Sequence, residues 1–221
     1  MKKQRATNSE DKLAKRQVIL AGALQIFRHT SYNEVTMSAI AENSKLAKGT
    51  LFLYFPTKEE LFLALMEEQM IEWFDTVDVE LETLEEKSIP AVASLFANSL
   101  NERAEFTRLL AIHSTIIEQN VSYEAIFKHK QLILQRLAGT GARLESSLPF
   151  LQAGQGAHFI LQCQAAVVGL WHLCDPSPIA CQVIEKEGFT AFKLGFNLEF
   201  KTLLTSLLYG IEKQQSKPKR K

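Results

Sequence analysis

The 221 residues, 46% of them hydrophobic, suffice for one small domain plus one ordinary one with a real core. The formal net charge of +0 hides an asymmetry: residues 1–58 carry ten Lys or Arg against four acids, whereas residues 59–221 carry fifteen against twenty-one. A basic head on an acidic body suits nucleic-acid binding by the head alone.

Gly and Pro are sparse, Leu, Ala, Glu, Lys and Gln are plentiful, and long alternating runs are missing, so the chain is expected to be all-α. The odd number of cysteines (163, 174 and 181), in no metal-like spacing, fits a reducing compartment, and the thiols read as buried helix residues rather than a redox pair. No apolar run follows Met1 and none is long enough for a bilayer, so a cytoplasmic protein with no membrane contact is expected.

Residues 1–9 are basic and polar and are expected to be disordered. A helix over about 11–29 follows, with Leu13, Ile19, Leu20, Ala23, Leu24, Ile26 and Phe27 as its apolar stripe. Lys12, Lys15 and Arg16 near its start could lie along a phosphate backbone or form a plain solvated surface.

The stretch from Val35 to Leu61 organises the chain. Thr36 is placed to cap a short helix, with Val35 and Ile40 at staple positions. That helix stops near Ser44, and Leu46 plugs the turn. A second short helix runs over about 47–54 with Leu51 and Phe55 facing inward, which leaves Lys48, Gly49, Phe52 and Leu53 outside. An exposed mid-helix Gly costs roughly 1 kcal/mol against Ala. Exposed Phe and Leu lack a folding reason too, so this face is expected to meet something at close range. Thr57 and Glu60 fit a capping box for the next helix, whereas Lys58 is a cation at the positive end of the dipole and is expected to serve an anion. Two short helices with a plugged turn describe a helix-turn-helix.

Through Thr36, Ile40, Ala41, Lys48, Gly49, Thr50, Leu51, Tyr54, Phe55, Lys58 and Glu59, the segment from about Ile19 to Phe62 resembles the DNA-binding signature of the TetR family of bacterial transcriptional regulators. Ser31 and Lys45 stand where that family usually has Gly, Ala47 stands where it has a capping Ser, and Phe52 replaces its Tyr. Lys45 is therefore expected at positive φ, and Ala47 forfeits a cap worth about 1 kcal/mol. The resemblance implies a three-helix helix-turn-helix DNA-binding domain (1–56) and a larger helical effector-binding and dimerisation domain (57–214), and composition adds a basic disordered tail (215–221).

In the body, helices are expected over about 58–82, 89–100 with Ser88 as cap, and 102–119 with Asn120 as C-cap. The next starts after Ser122 and loosens at Gly139 and Gly141. Three more follow, over about 152–173, 179–186 and 198–211.

No Gly-x-Ser-x-Gly, Walker or His-Glu-x-x-His pattern is present. Gly139-Thr-Gly141 and Gly154-Gln-Gly156 are fragments of a dinucleotide loop and follow no strand. The histidines are scattered, so no catalytic residue, metal site or cofactor is expected. Phosphate contacts are expected from Thr36, Tyr54, Lys58 and the basic first helix, base-edge contacts from Lys48, Gly49, Thr50, Phe52 and Leu53, and a DNA contact from Ser38. The resemblance further implies a hydrophobic effector cavity. Apolar helices with embedded polar groups nominate Trp73, Phe96, Phe106, His113, Phe127, Trp171 and His172 to line it for a small, largely apolar effector. The more ordinary role for most of them is core packing. Ala165, Ala166 and Gly169, with the Leu stripe on 198–211, would let helices approach closely, either within one chain's core or, as the resemblance implies for the last two long helices, across a homodimer interface near 152–173 and 198–211.

The expected protein is thus a ligand-responsive, homodimeric DNA-binding regulator, a repressor on the family pattern, that reads a palindromic operator in double-stranded DNA. A small-molecule carrier or enzyme with a vestigial head, or an architectural DNA-binding factor without a ligand, are the competing readings. Salt-dependent DNA binding separates the regulator from the carrier, and an internal cavity separates it from the architectural factor.

Overall fold

The structure is a computed structural model that describes residues 2–216, with side chains from Glu10 onward. The basic residues 217–221 of the expected tail lie outside the described residues. The described chain is all helical: α1 (Lys2–His29), α2 (Met37–Asn43), α3 (Lys48–Tyr54), α4 (Lys58–Thr83), α5 (Ile89–Asn98), α6 (Ala104–Ile112), α7 (Tyr123–Ser147), α8 (Gln155–Cys174), α9 (Pro178–Ile184) and α10 (Phe196–Gln215). Short 3₁₀ turns occupy Ile117–Asn120 and Thr190–Phe192. Helix α1 takes in residues 2–9, which composition alone left outside it.

The chain forms two compact units. Among the described residues, the head comprises those up to Glu68 together with Ile112–Ile126, and the body comprises Gln69–Ala111 and those from Phe127. The head therefore uses a segment that arrives from far along the sequence.

Inside the head, Ile19, Leu20, Ala23 and Phe27 of α1 are buried with Ile40 and Ala41 of α2, Leu51 of α3 and Leu61, Phe62 and Leu65 of α4. The Phe62 ring meets Phe27 and Tyr32 edge-on, with centroids 5.3 and 4.9 Å apart. The expected caps are present. Thr36 Oγ1 accepts from the Ala39 N–H at 3.1 Å, Lys45 has φ 55°, and Ala47 gives α3 no side-chain cap.

At Thr57 only half of the expected capping box forms. The Glu60 N–H donates to Thr57 Oγ1 at 3.0 Å, but Glu60 Oε1 accepts from the Ser122 N–H at 3.2 Å. The carboxylate has a competing donor that local sequence does not reveal.

In the body, α10 packs on α5 and α8 through Phe200, Leu204 and Leu208. Trp73, Phe96, Phe106 and Phe159 are buried as one aromatic layer, and the Trp73 Nε1–H donates to Ser99 Oγ at 2.8 Å. Residues Asp75, Asp78 and Glu82 of α4 pair in order with Arg136, Thr140 and Arg143 of α7. Most of that ladder is solvent-exposed and adds little stability; the buried Thr140 hydroxyl, which donates to Asp78 at 2.6 Å, is its firmest rung.

Helix α7 does not loosen at Gly139 and Gly141. Gly141 and Gly156 instead let α7 and α8 meet backbone to backbone. Gly154 caps α8 at φ 86°, a conformation that disfavours any side chain. Close crossing and a helix start thus account for both apparent fragments of a dinucleotide loop.

Candidate nucleic-acid interface

The recognition surface is built from the inside out. Leu51 and Phe55, at 0% and 4% exposure, seat α3 against the head core. That rotation turns Phe52 and Leu53 outward, 41% and 82% exposed, beside exposed Lys48 and Gly49. A Cβ at Gly49 would meet nothing within 4 Å, so nothing in the head itself asks for glycine there. Thr36 and Ser38 at the start of α2 are exposed, and Thr50 and Tyr54 are half-exposed.

Lys58 sits differently from its sequence-based assignment. Its Nζ donates to the Tyr32 and Val35 carbonyls at 3.0 and 3.1 Å and lies 4.0 Å from the Tyr32 ring centroid. Two carbonyl dipoles of the α1–α2 corner thus take two of the ammonium's donors. Burial lowers the ammonium's pKa, and the neighbouring Glu59 charge partly offsets this. An ammonium has three donors, so one remains beyond the two carbonyl bonds.

Arg16 is also engaged within the head. It donates to Glu68 at 3.1 Å and lies over the Phe55 ring at 5.5 Å, while Gln17 donates to the same Glu68 oxygen at 2.9 Å. Lys12 and Lys15 are exposed.

At the N-terminus of α4, Glu59 joins two parts of the head. Its Oε1 accepts from the Tyr32 hydroxyl at 2.7 Å, and its Oε2 accepts from Asn120 Nδ2 at 3.3 Å. Burial, then the Glu59 hydrogen bond and charge, hold the Tyr32 phenol well above its ordinary pKa. Sequence reading missed Tyr32, Glu59 and Asn120 as a group because they lie far apart in the chain.

Of the seven residues nominated for an effector cavity, the structure brings three together. Trp73, Phe96 and Phe106 share the body's aromatic layer. Trp171 lies twelve residues beyond Phe159 on α8, roughly 18 Å by helical rise, and packs edge-on against Phe196. Phe127 is 47% exposed and His172 is exposed, because the outward faces of α7 and α8 carry them. His113 belongs to the head unit, where it is buried with Nε2 3.3 Å from Glu118 Oε1. Among the thiols only Cys163 is buried as expected, with its pKa pushed well up. Cys174 is half-buried and Cys181 exposed, since α9 has no buried residue.

A plugged turn between two short helices, the outer one showing a basic and apolar tip, defines a helix-turn-helix DNA-binding protein. Residues 19–65 match the bacterial regulatory proteins of the tetR family, and residues 67–215 match the tetracyclin repressor-like C-terminal domain. The chain belongs to the TetR family of bacterial transcriptional regulators.

Among its relatives, the HTH-type transcriptional regulator YuxN of Bacillus subtilis (strain 168) is 25% identical over 138 residues, 62% of this chain and 37% of that protein. The fatty acid metabolism regulator protein of the same organism is 26% identical over 82 residues, 36% of this chain and 42% of that protein. The chain thus matches less than half the length of either curated relative.

The fold is also that of the fatty acid degradation regulator FadR from Bacillus halodurans (TM-score 0.52, 16% identity, covering 93% of this chain and 96% of that one). FadR from Bacillus subtilis in complex with stearoyl-CoA gives TM-score 0.54 at 17% identity, covering 86% and 97%. A TerR/AcrR-family regulator from Aquifex aeolicus VF5 gives 0.51 at 16%, covering 89% and 99%.

Proposed function

We propose that this protein is a homodimeric repressor that holds a palindromic operator and releases it when a small, largely apolar effector enters the body. The observation that carries the DNA half is the outward face of α3: Lys48, Gly49, Phe52 and Leu53 are exposed without a folding reason. Lys48 and the third Lys58 donor supply charge to phosphates, with Thr36, Ser38 and Tyr54 as hydroxyl partners. Gly49, Thr50, Phe52 and Leu53 approach base edges, the apolar pair against thymine methyls.

The effector half rests on the aromatic layer of Trp73, Phe96 and Phe106, whose rings would part around an apolar ligand. Relatives whose names concern fatty acid metabolism, and one bound to stearoyl-CoA, make a long-chain acyl-CoA the first effector to try. Helices α8 and α10 are the surfaces for the second copy. By composition α8 is apolar enough for a membrane, yet only 22% of its apolar window is buried in one chain.

Genomic binding-site selection followed by gel shift at several salt concentrations tests the reading. The expected result is a palindromic site, a steep salt dependence, and release by stearoyl-CoA with a change in Trp emission. A chain that selects no DNA but binds acyl-CoA would instead be a carrier with a vestigial head. Operator binding that no apolar ligand disturbs would favour an architectural factor.

A further inference from the structure

The segment between α6 and α7 folds with the head and grips the first turn of α4 at three points. The Thr57 hydroxyl donates to the Asn120 carbonyl at 3.2 Å, Asn120 Nδ2 donates to Glu59 Oε2 at 3.3 Å, and the Ser122 N–H donates to Glu60 Oε1 at 3.2 Å. Asn120 therefore engages α4 with both its backbone and its side chain, although it is exposed.

From Glu59 the connection continues toward the start of α2. The carboxylate is held at both ends, by Asn120 on Oε2 and by the Tyr32 phenol on Oε1. Lys58 then ties the Tyr32 and Val35 carbonyls to α4. Val35 immediately precedes Thr36, the N-cap of α2. A carboxylate held at both oxygens has less rotameric freedom than one held at a single oxygen, so losing Asn120 lets Glu59 leave Tyr32 more readily.

We propose that Asn120 is a positioning residue for operator recognition: through Glu59 it fixes the Tyr32 corner and so the attitude in which α2 and α3 meet DNA. This rests on the DNA-binding reading above.

The test uses the full-length chain, the operator selected by the wild type, and a random duplex of equal length at the same salt. Asn120→Ala is expected to weaken operator binding roughly three- to tenfold, the worth of one hydrogen bond, and to leave random-duplex affinity within about twofold. Asn120→Asp sets two carboxylates against each other and should do worse.

Adding Glu59→Gln to Asn120→Asp reverses donor and acceptor. The new amide donates to the new carboxylate while its oxygen still accepts from Tyr32, and operator affinity should return to within about threefold of wild type. A role in stability alone predicts loss on the random duplex as well as on the operator, and Asn120→Ala with the double variant keeps the test open if Asn120→Asp folds poorly. Unchanged operator affinity in Asn120→Ala, or a double variant no better than Asn120→Asp, overturns the proposal while leaving the DNA-binding reading in place. A wild-type chain that selects no DNA overturns both.

Discussion

A methyl group at Gly156 would lie 2.2 Å from the carbonyl oxygen of Gly141, and one at Gly141 would lie 2.6 Å from the Ala157 nitrogen. The obstructing atoms are backbone, so no rotamer change can make room. The same crossing lets Glu145 of α7 accept from the Gly156 N–H at 2.9 Å, satisfying an orphan donor at the start of α8. Either glycine replaced by Ala should destabilise the body by about 1–3 kcal/mol, the usual cost of overpacking. Urea unfolding would show it, and a variant as stable as wild type would mean the two helices do not cross there.

Much of the head was legible because its signals are local. Thr36, Ser88 and Ser122 cap as expected, since a cap needs only a hydroxyl and an N–H three residues on. The inward set of α3 follows from spacing alone. What escaped the sequence is long-range: Asn120 was read as a helix end, yet it partners Glu59, and Glu60 turns from its own cap to Ser122. Gly141 was read as a weakness in α7 because its reason lies on α8. The effector list gathered only at Trp73, Phe96 and Phe106, because apolar periodicity tells which helix face carries a residue, not which faces meet. Residues Phe127 and His172 ended outside for that reason.

Gly49 has open space around it in the free protein, while its helical position favours Ala. Gly49→Ala should therefore raise head stability by up to roughly 1 kcal/mol. The added methyl would stand in the space a base edge occupies, so operator affinity should fall in the same variant. Thermal melting and gel shift on one preparation decide the matter. Undiminished operator binding would remove Gly49 from the interface.

Lys48 and Lys58 should separate cleanly. Lys48 is exposed at the front of α3, so Lys48→Ala should leave stability alone, relax site preference and reduce the salt slope by about 1. Lys58→Ala also breaks two carbonyl bonds and the contact with the Tyr32 ring, so it should lower the melting temperature as well as affinity for all DNA. An Lys58→Ala protein with wild-type melting would mean those bonds hold nothing. Unchanged affinity and salt slope would end its phosphate role.

Tyr32 gives the head an alkaline limit. The folded phenol titrates well above its unfolded value, because burial and Glu59 disfavour the phenolate. Its contribution is complete below the unfolded value of about 10 and declines as pH rises beyond it, where the unfolded chain ionises and the folded one resists. Lys58, with its lowered pKa, acts in the opposite direction just below that range. The informative quantity is therefore the difference between wild type and Tyr32→Phe. That difference should shrink as pH rises above about 10, and a gap constant to pH 11 would contradict the assignment.

The assembly prediction turns on where each leucine of α10 faces. Leu204 and Leu208 are fully buried within one chain, so a charge there breaks the body itself and says nothing about a partner. Leu203 is 45% exposed, and Leu207 lines a cleft of about 340 Å³ between α8 and α10 with Gln155, His158, Gln162, Ser206 and Ile211. Beside these, Leu161 on α8 is 44% and Leu198 on α10 is 66% exposed. One recognition helix of two turns reads few base pairs, so tight binding needs a second head. If α8 and α10 carry the two-fold axis, Leu207→Glu places two uncompensated charges in the interface while sparing the intramolecular core. The expected product is a monomer by sedimentation, with helical content retained and operator affinity falling toward that for random DNA. Leu204→Glu, by contrast, should unfold. A Leu207→Glu protein that stays dimeric and holds its operator would put the two-fold contact on another face.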